Sequence, residues 1–203
     1  MSILLEKGQR VSLEKQDGQK LQKMCVGLNW GALQKKGFFG GVKIEAVDLD
    51  ASCALFDGNG QLMDVVYFGN LRSSDGSIVH SGDDVTGDTG GDDNLDNEVI
   101  MVDLDRVHST VQQVVFILNS FRDHDFGDIP HAMLRLYEGT PQRVDRLFAT
   151  YNIARDPKFK GYVTMIMGKV YRHQGAWKFA AIGDPTRDRK LEESLRTVIQ
   201  HYL

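Results

Sequence analysis

The chain has 203 residues, enough for one domain with a substantial hydrophobic core. Its net charge is −4, which argues against a nucleic-acid partner because such a partner needs a basic protein surface. No apolar run approaches the ~18 residues that a membrane-spanning helix needs, and no apolar signal segment follows the start. We therefore expect a soluble cytoplasmic protein, with peripheral contact at the inner face of the membrane as an open alternative.

Short strand patterns dominate the chain. They occupy residues 2–8, 10–15, 24–30, 47–56, 62–68, 98–104, 113–120, 132–137, 143–153, 163–172 and 176–182. Residues 113–120 include a continuous apolar run, which is typical of a central strand. Asp57-Gly58-Asn59-Gly60 has the composition of a primed hairpin turn between two of these strands. Many short strands joined by glycine-containing turns indicate an all-β fold, a two-sheet β-sandwich.

The last segment, residues 185–203, has a helical pattern instead. Its apolar side chains recur at Leu191, Leu195, Val198, Ile199 and Tyr202, so we predict an amphipathic helix. Pro185 lies near the predicted start, and basic side chains fill the predicted first turns, where they oppose the helix dipole. We expect the helix to dock on the sandwich, so that residues 1–203 form a single domain. A helix that binds a partner protein is the alternative.

The most unusual segment is the acidic loop, residues 82–93, with the sequence GDDVTGDTGGDD. Its carboxylates repel one another and cannot form a core, so an ordered loop needs something to hold them together. A hard divalent cation would do so, because calcium takes six to eight oxygen ligands in flexible geometry. Glycines such as Gly87 and Gly90 let the backbone turn its carbonyls toward an ion. A disordered acidic surface loop is the alternative.

Two other acidic segments could join this loop. Asp48 and Asp50 share one face of a predicted strand, which is costly unless a cation or hydrogen-bond donors lie between them. Asp75 lies beside a glycine in a polar turn. If the three segments converge at one sheet edge, they form one or two calcium sites. The predicted metal-site residues are Asp48, Asp50, Asp75, Asp83, Asp84, Gly87, Asp88, Gly90, Asp92 and Asp93.

Several of these segments resemble the TerD family of tellurium-resistance and stress proteins. The resemblance is carried by VGLNW at residues 26–30, DLDAS at 48–52, NLRSSDGSIVHSGDD at 70–84, the acidic loop, and YRHQGAWKFAAIG at 171–183. KKGFFGG at residues 35–41 and SCALFDGNGQL at 52–62 look most like the TerZ/TerX branch. The resemblance implies a calcium-binding β-sandwich, encoded in operons for resistance to tellurite, phage and colicins. Its implied partners are other tellurium-resistance proteins, some of them membrane-associated.

The loop departs from the family pattern at three points. The family usually has GDN followed by TGxGxGDDE, whereas Asp84 replaces the asparagine here and the loop ends with Asp93-Asn94. Asp88 stands where the family commonly has glutamate. Because the number of acids is largely preserved, we expect calcium binding to be preserved as well.

Catalysis finds little support in the chain. It contains no phosphate-binding glycine loop of the P-loop or Rossmann type and no GxSxG motif, so we expect no enzyme and no catalytic residues. Cys25 and Cys53 lie in apolar runs and are predicted to be buried, reduced thiols. We expect a calcium-responsive stress module that acts through partner or membrane-associated complexes. The alternative is a metal-dependent enzyme or a thiol-based tellurite handler.

The segment KKGFFGG carries one further hypothesis. Phe38 and Phe39 are adjacent large apolar residues between glycines and lysines, an arrangement that can mark a contact surface for a partner or a membrane. The alternative is that both rings fold back over the edge of the sandwich.

Overall fold

The computed structural model describes residues 3–4, 8–13, 20–36, 40–153 and 157–203. Within these ranges the chain forms fourteen strands, one α-helix and two 3-10 turns. Twelve strands make two six-stranded sheets, and the remaining two make a small antiparallel ribbon. The expected contact loop with Phe38 and Phe39 lies outside the described residues, so that hypothesis stays a prediction.

The first sheet has the strand order β1-β12-β11-β3-β9-β8, and every pair is antiparallel except β1 with β12. Its strands are β1 Ile3–Leu4, β3 Lys23–Trp30, β8 Ile78–His80, β9 Glu98–Asp103, β11 Ala132–Thr140 and β12 Arg143–Asn152. The ribbon consists of β4 Leu33–Lys36 and β5 Val42–Glu45. Neither β8 nor the ribbon was predicted from the sequence pattern, because each is too short to show a period.

The second sheet has the order β2-β14-β13-β10-β6-β7, with antiparallel pairing throughout. Its strands are β2 Arg10–Ser12, β6 Leu49–Phe56, β7 Leu62–Val66, β10 Gln113–Ser120, β13 Thr164–His173 and β14 Ala176–Thr186. The predicted central strand is confirmed, since β10 lies between β13 and β6.

The main core lies between the two sheets. Along β6, Leu49, Ala51 and Cys53 point into it, together with side chains of β3 such as Val26 and Leu28. Because strand side chains alternate, the intervening residues of β6 face the opposite side of the second sheet. Ala54 and Phe56 accordingly belong to a separate apolar cluster there. The two-sheet sandwich expected from the sequence is thus confirmed.

The C-terminal helix α1 covers that opposite face, but it begins later than predicted. It spans Leu191–His201, whereas Pro185 belongs to β14, where it pairs with Met165. The basic residues that precede Leu191 therefore lie outside the helix. Its first turn contains Glu192 and Glu193, which complement the helix dipole, contrary to the expectation. The helix begins later than predicted because pairing within the sheet keeps the chain in a strand through Thr186.

The docked face of α1 is narrower than the predicted apolar stripe. Leu191, Leu195, Val198 and Tyr202 pack against the second sheet, whereas Ile199 is 47% exposed.

Among the described residues, no helix combines the length and apolar character that crossing a bilayer requires.

The hairpin between β6 and β7 is confirmed, but its turn is not of the primed type. A primed turn of the predicted kind needs positive φ at Gly58 and Asn59, and neither residue has it. Gly60 instead adopts a φ of +77°, and its N–H donates to the Asp57 carbonyl oxygen at 3.2 Å. This arrangement is typical of a three-residue hairpin loop that ends on a left-handed glycine.

Candidate metal centre

The acidic loop connects β8 to β9 and lies across the ends of both sheets. The Asp88 N–H donates to the Trp30 carbonyl oxygen at 2.9 Å, and the Ala32 N–H donates to the Asp88 carbonyl oxygen at 3.1 Å. These bonds attach the loop to the end of β3. On the other side, the Val47 N–H donates to the Thr86 carbonyl oxygen at 3.1 Å, which attaches the loop to the segment before β6. The loop thus brings residues from both sheets to one end of the sandwich.

Gly87 allows the loop to approach the core this closely. Its φ is +65°, and a Cβ atom there would lie 2.5 Å from Cδ1 of the buried Trp30 ring. No side chain fits at that distance. Gly90, the other glycine in the predicted set, is exposed and has open space around it. Only the first glycine is therefore required by packing.

The first acidic group contains Asp48, Asp50 and Asp83. One carboxylate oxygen from each residue lies within 4.8 Å of the other two. Asp48 is 3% exposed and Asp50 is 7% exposed, while Asp83 reaches in from the exposed loop. Arg122 lies near one edge of the group, with its Nε atom 3.4 Å from Asp48 Oδ2. Three carboxylates gathered at a buried strand end provide an all-oxygen donor set, which suits a hard divalent cation.

Negative charge on the carboxylates of the first acidic group is unfavourable in the folded protein. Burial, together with the neighbouring carboxylates of Glu98, Asp48 and Asp83, raises the pKa of Asp50 to about 7, and burial is the largest cause. Burial also raises the pKa of Asp48. No hydrogen bond to the Asp50 carboxylate is found among the described residues. A largely buried carboxylate without such donors is unfavourable in its charged form.

Beneath this group lies a buried pair that sequence reasoning missed, His80 and Glu98. Glu98 is fully buried, and its Oε2 atom accepts a hydrogen bond from the Ala51 N–H at 2.7 Å. His80 Nε2 lies 3.4 Å from Glu98 Oε2 and 3.1 Å from the Ala51 carbonyl oxygen. Because the Gly82 N–H donates to His80 Nδ1, the ring proton belongs on Nε2.

A sequence signal for Glu98 did exist. In the alternation of β9, Glu98 shares its side of the strand with Ile100 and Val102, both in the main core. A glutamate on an apolar strand face needs strong partners. Glu98 finds them in both sheets and in the loop, since the Asp84 N–H donates to its Oε1 atom at 3.2 Å. Glu98 therefore connects the acidic loop to the strands that lie beneath the first acidic group.

The second group contains Asp88, Asp92 and His131, whose potential ligand atoms also lie within 4.8 Å of one another. Amide donors already engage its carboxylates: Asn29 Nδ2 lies 3.2 Å from Asp88 Oδ2, and Asn97 Nδ2 lies 3.0 Å from Asp88 Oδ1. An imidazole nitrogen is a poorer partner for calcium than an oxygen. The second group therefore fits calcium less well than the first.

Asp84 and Asp93 serve the loop itself. The Oδ1 atom of Asp84 accepts hydrogen bonds from the N–H groups of Thr86 and Gly87 at 2.9 and 3.1 Å. Burial raises the pKa of Asp84, but the hydrogen bonds outweigh burial and hold the pKa below its ordinary value. Asp93 is exposed and accepts a hydrogen bond from the Leu95 N–H. Neither residue belongs to the two groups of potential ligands.

Asp75 departs from the expected convergence. Strand β8 separates its turn from the acidic loop, so Asp75 lies near the opposite end of the β8–β9 pair. Its carboxylate accepts hydrogen bonds from the hydroxyls of Ser73 and Ser77 and from the N–H groups of Ser77 and His108. Two of the three acidic segments thus meet, while the third forms a turn elsewhere.

Comparison with known proteins identifies the family. The model of the TerD domain matches residues 1–199. The chain is 39% identical to stress response protein SCP2 of Bacillus subtilis, covering 95% of this chain and 97% of that protein. It is 35% identical to tellurium resistance protein TerZ of Serratia marcescens, covering 94% of each.

A solved structure has the same fold. It is described as a homologue of telluride resistance protein (TerD) from Streptomyces coelicolor A3(2), with a TM-score of 0.66 at 20% identity. The match covers 84% of this chain and 94% of that one. Together with the match to the family model over residues 1–199, this establishes that the chain belongs to the TerD domain family of tellurium-resistance and stress proteins.

Proposed function

We propose that this protein is a calcium-binding stress-response module of a tellurite-resistance system, which also protects against phage and colicins. The names of its relatives support the resistance and stress role. The observation that carries the calcium site is Asp50, a buried carboxylate that accepts no hydrogen bond from the described part of the chain and is grouped with Asp48 and Asp83. A divalent cation would replace the missing donors and remove the repulsion among the three charges.

Calcium suits this group better than magnesium does. Calcium accepts six to eight oxygen ligands at variable angles, whereas magnesium requires near-octahedral geometry and loses its water reluctantly. Asp50 lies in β6 and Asp48 immediately precedes that strand, while Asp83 lies in an exposed loop and can adjust. The remaining calcium ligands would be backbone carbonyls, water or a bound molecule. A second ion at Asp88 and Asp92 is the weaker part of the proposal because His131 belongs to that group.

The proposed role of the ion is to order the loop for a partner. Two apolar side chains are exposed to solvent here, Val85 in the acidic loop at 44% and Leu95 just after the loop at 52% exposure. Both side chains line the same surface cavity, and neighbouring exposed apolar side chains can form a contact surface. We propose that the partners are other proteins of the resistance system, some of them membrane-associated, and that the protein acts in the cytoplasm or at the inner membrane face.

A role without catalysis fits the thiols better than tellurite reduction does. Cys25 and Cys53 are 2% and 0% exposed, and neither forms a disulfide. Burial raises the pKa of Cys25 to about 12 and also raises the pKa of Cys53, so both stay protonated at neutral pH. A reducing or nucleophilic cysteine needs an accessible thiolate. The thiol-based alternative is therefore disfavoured.

The test is calcium titration by calorimetry, followed by affinity capture of partners with calcium or with EDTA. We expect saturable calcium binding, a higher melting temperature in calcium by mass action, and a much smaller effect of magnesium. Asp83→Asn should weaken binding about tenfold or more, since it removes one ligand charge. Asp145→Asn is the matched control, because Asp145 is exposed and pairs with Arg143. No calcium binding at millimolar concentration would refute the calcium site.

A further inference from the structure

A pocket of about 760 Å³ opens beside the first acidic group. It lies on the outer face of the second sheet, between the start of α1, strand β7 and the segment that follows β10. Its volume falls within the range of small-molecule sites, about 300–1000 Å³. The helix supplies Leu191 and Leu195 to one wall, and β7 supplies Val65.

Three aromatic rings line the pocket. The Phe68 ring lies 5.3 Å from the Tyr67 ring and 5.8 Å from the Phe121 ring, centroid to centroid, and both pairs are nearly perpendicular. Phe121 is 63% exposed and Phe68 is 38% exposed. Rings left in water at the mouth of a pocket gain free energy when an apolar body covers them.

The polar end of the pocket is formed by Asp50 and Ser52, which share the outer face of β6. Ser52 is 2% exposed, and its Oγ atom has no hydrogen-bond partner. A buried hydroxyl without a protein partner is free to form a hydrogen bond with a ligand atom. Asp50 belongs to both the pocket and the first acidic group, so the pocket is continuous with the proposed calcium position.

Charge decides which ligand this pocket can accept. At the mouth, Arg189 Nη1 lies 3.4 Å from Asp123 Oδ2, so that pair largely neutralises itself, and the other two charged residues there, Lys190 and Glu192, have opposite charges. The carboxylates of Asp48, Asp50 and Asp83 would repel a free anion. A calcium ion held by them would attract one, because calcium takes six to eight oxygen ligands and could accept an oxygen of the anion beside the three carboxylates.

We propose that this pocket binds a small organic oxyanion with an apolar, ring-containing body, and that the bound calcium ion is required for it. The oxyanion coordinates the ion held by Asp48, Asp50 and Asp83, while the body packs against the rings of Phe68 and Phe121. Ser52 donates a hydrogen bond to the ligand. The proposal rests on the calcium site proposed above and gives that site its ligand class.

The test uses naphthoate, an aromatic carboxylate, as the probe. Calorimetric titrations are run on the full chain in millimolar calcium chloride and in EDTA, after calcium binding has been measured alone. We expect one-to-one naphthoate binding in calcium, weaker by about tenfold or more in EDTA, since the ion supplies the main attraction. Naphthalenemethanol, which has the same rings and no charge, should bind weakly and with little dependence on calcium.

Phe121→Ser separates the ligand site from the calcium site. Because Phe121 is largely exposed, its replacement should leave the fold and the calcium affinity unchanged while weakening naphthoate about tenfold. Val144→Ser is the matched control, since Val144 is a 40% exposed apolar residue on β12 of the other sheet. Melting curves check that both variants are folded.

The outcomes distinguish the two proposals. Absence of calcium binding refutes the calcium site and this inference together. Calcium binding without naphthoate binding, or naphthoate binding that is equal in EDTA, overturns the ligand proposal alone. Unchanged naphthoate affinity in Phe121→Ser also overturns it, because the probe would then bind elsewhere.

Discussion

Asp50 is the residue on which the site depends most, because it is buried, its pKa is raised to about 7, and no donor among the described residues hydrogen-bonds to its carboxylate. We expect Asp50→Asn to weaken calcium binding about tenfold or more, since it removes a ligand charge. The same change should stabilise the calcium-free protein by roughly 1–3 kcal/mol, because it removes a buried charge that its neighbours repel. Melting curves in calcium and in EDTA measure the two effects. Equal stability of variant and wild type in EDTA would contradict the repulsion.

The raised pKa of Asp50 also predicts a pH dependence. Its pKa is about 7 in the folded protein and near 3.8 in the unfolded chain, so the folded state binds the proton more tightly. Without calcium, the stability contributed by this group is present below pH 3.8 and is lost as pH rises toward 7.

Calcium affinity should change with pH in the opposite direction, because the ion must displace the proton. Lowering the pH from neutral to about 5.5 should weaken calcium binding roughly tenfold or more. Asp50→Asn should show a flatter dependence, and Asp145→Asn should match wild type. Calorimetry across this pH range provides the measurement. A wild-type affinity that does not vary with pH would contradict the assignment.

At the scale of single elements, the turn before β8, which contains Asp75, stabilises the fold. Burial raises the pKa of Asp75, but hydrogen bonds from Ser77, His108 and Ser73 outweigh burial and lower the pKa to about 2. We expect Asp75→Ala to reduce the free energy of unfolding by about 1–2 kcal/mol, because several donors lose their acceptor. Calcium affinity should stay within about twofold of wild type. Denaturant unfolding measures the change in stability, and calorimetry measures the calcium affinity. A calcium affinity as weak as that of Asp83→Asn would show that Asp75 belongs to the metal site.

Helix α1 offers a matched pair of neighbouring residues. Val198 is 0% exposed and packs on the second sheet, whereas Ile199 is 47% exposed. Val198→Ala should lower the free energy of unfolding by about 2 kcal/mol through loss of buried methyl groups, and Ile199→Ala by less than about 0.5 kcal/mol. Equal losses in denaturant unfolding would show that the helix is not docked on this face.

For the whole molecule, calcium should act on the loop and leave the sandwich core unchanged. Without calcium, the amides of residues 89–93 should exchange with solvent rapidly, while those of β10 stay protected because β13 and β6 cover both of its edges. Calcium should slow exchange in the loop. Hydrogen-exchange mass spectrometry with calcium and with EDTA measures this, and a loop that exchanges equally in both would contradict ordering by the ion.

Local patterns in the sequence were sufficient for the sandwich and for most of its strands. Alternation of apolar side chains, the apolar run of β10 and the glycine-rich turns act over a few residues, so they can be read without knowing the fold. The same holds for the helical spacing of residues 191–202. The start of α1 was wrong because pairing with β13 extends β14 through Pro185, and pairing is a long-range interaction that local spacing does not contain.

The acidic residues could be identified from the sequence, but only the tertiary structure showed which of them lie together as potential metal ligands and which stabilise the loop or a turn. It placed Asp48 and Asp50 beside Asp83, engaged Asp84 in the loop, and moved Asp75 to the far end of β8. It also showed Glu98 as the buried link between the sheets and the loop. The physical reason is that residue type, charge and period are properties of neighbouring positions. Burial, hydrogen-bond partners and pKa depend on which distant strands end at the same place.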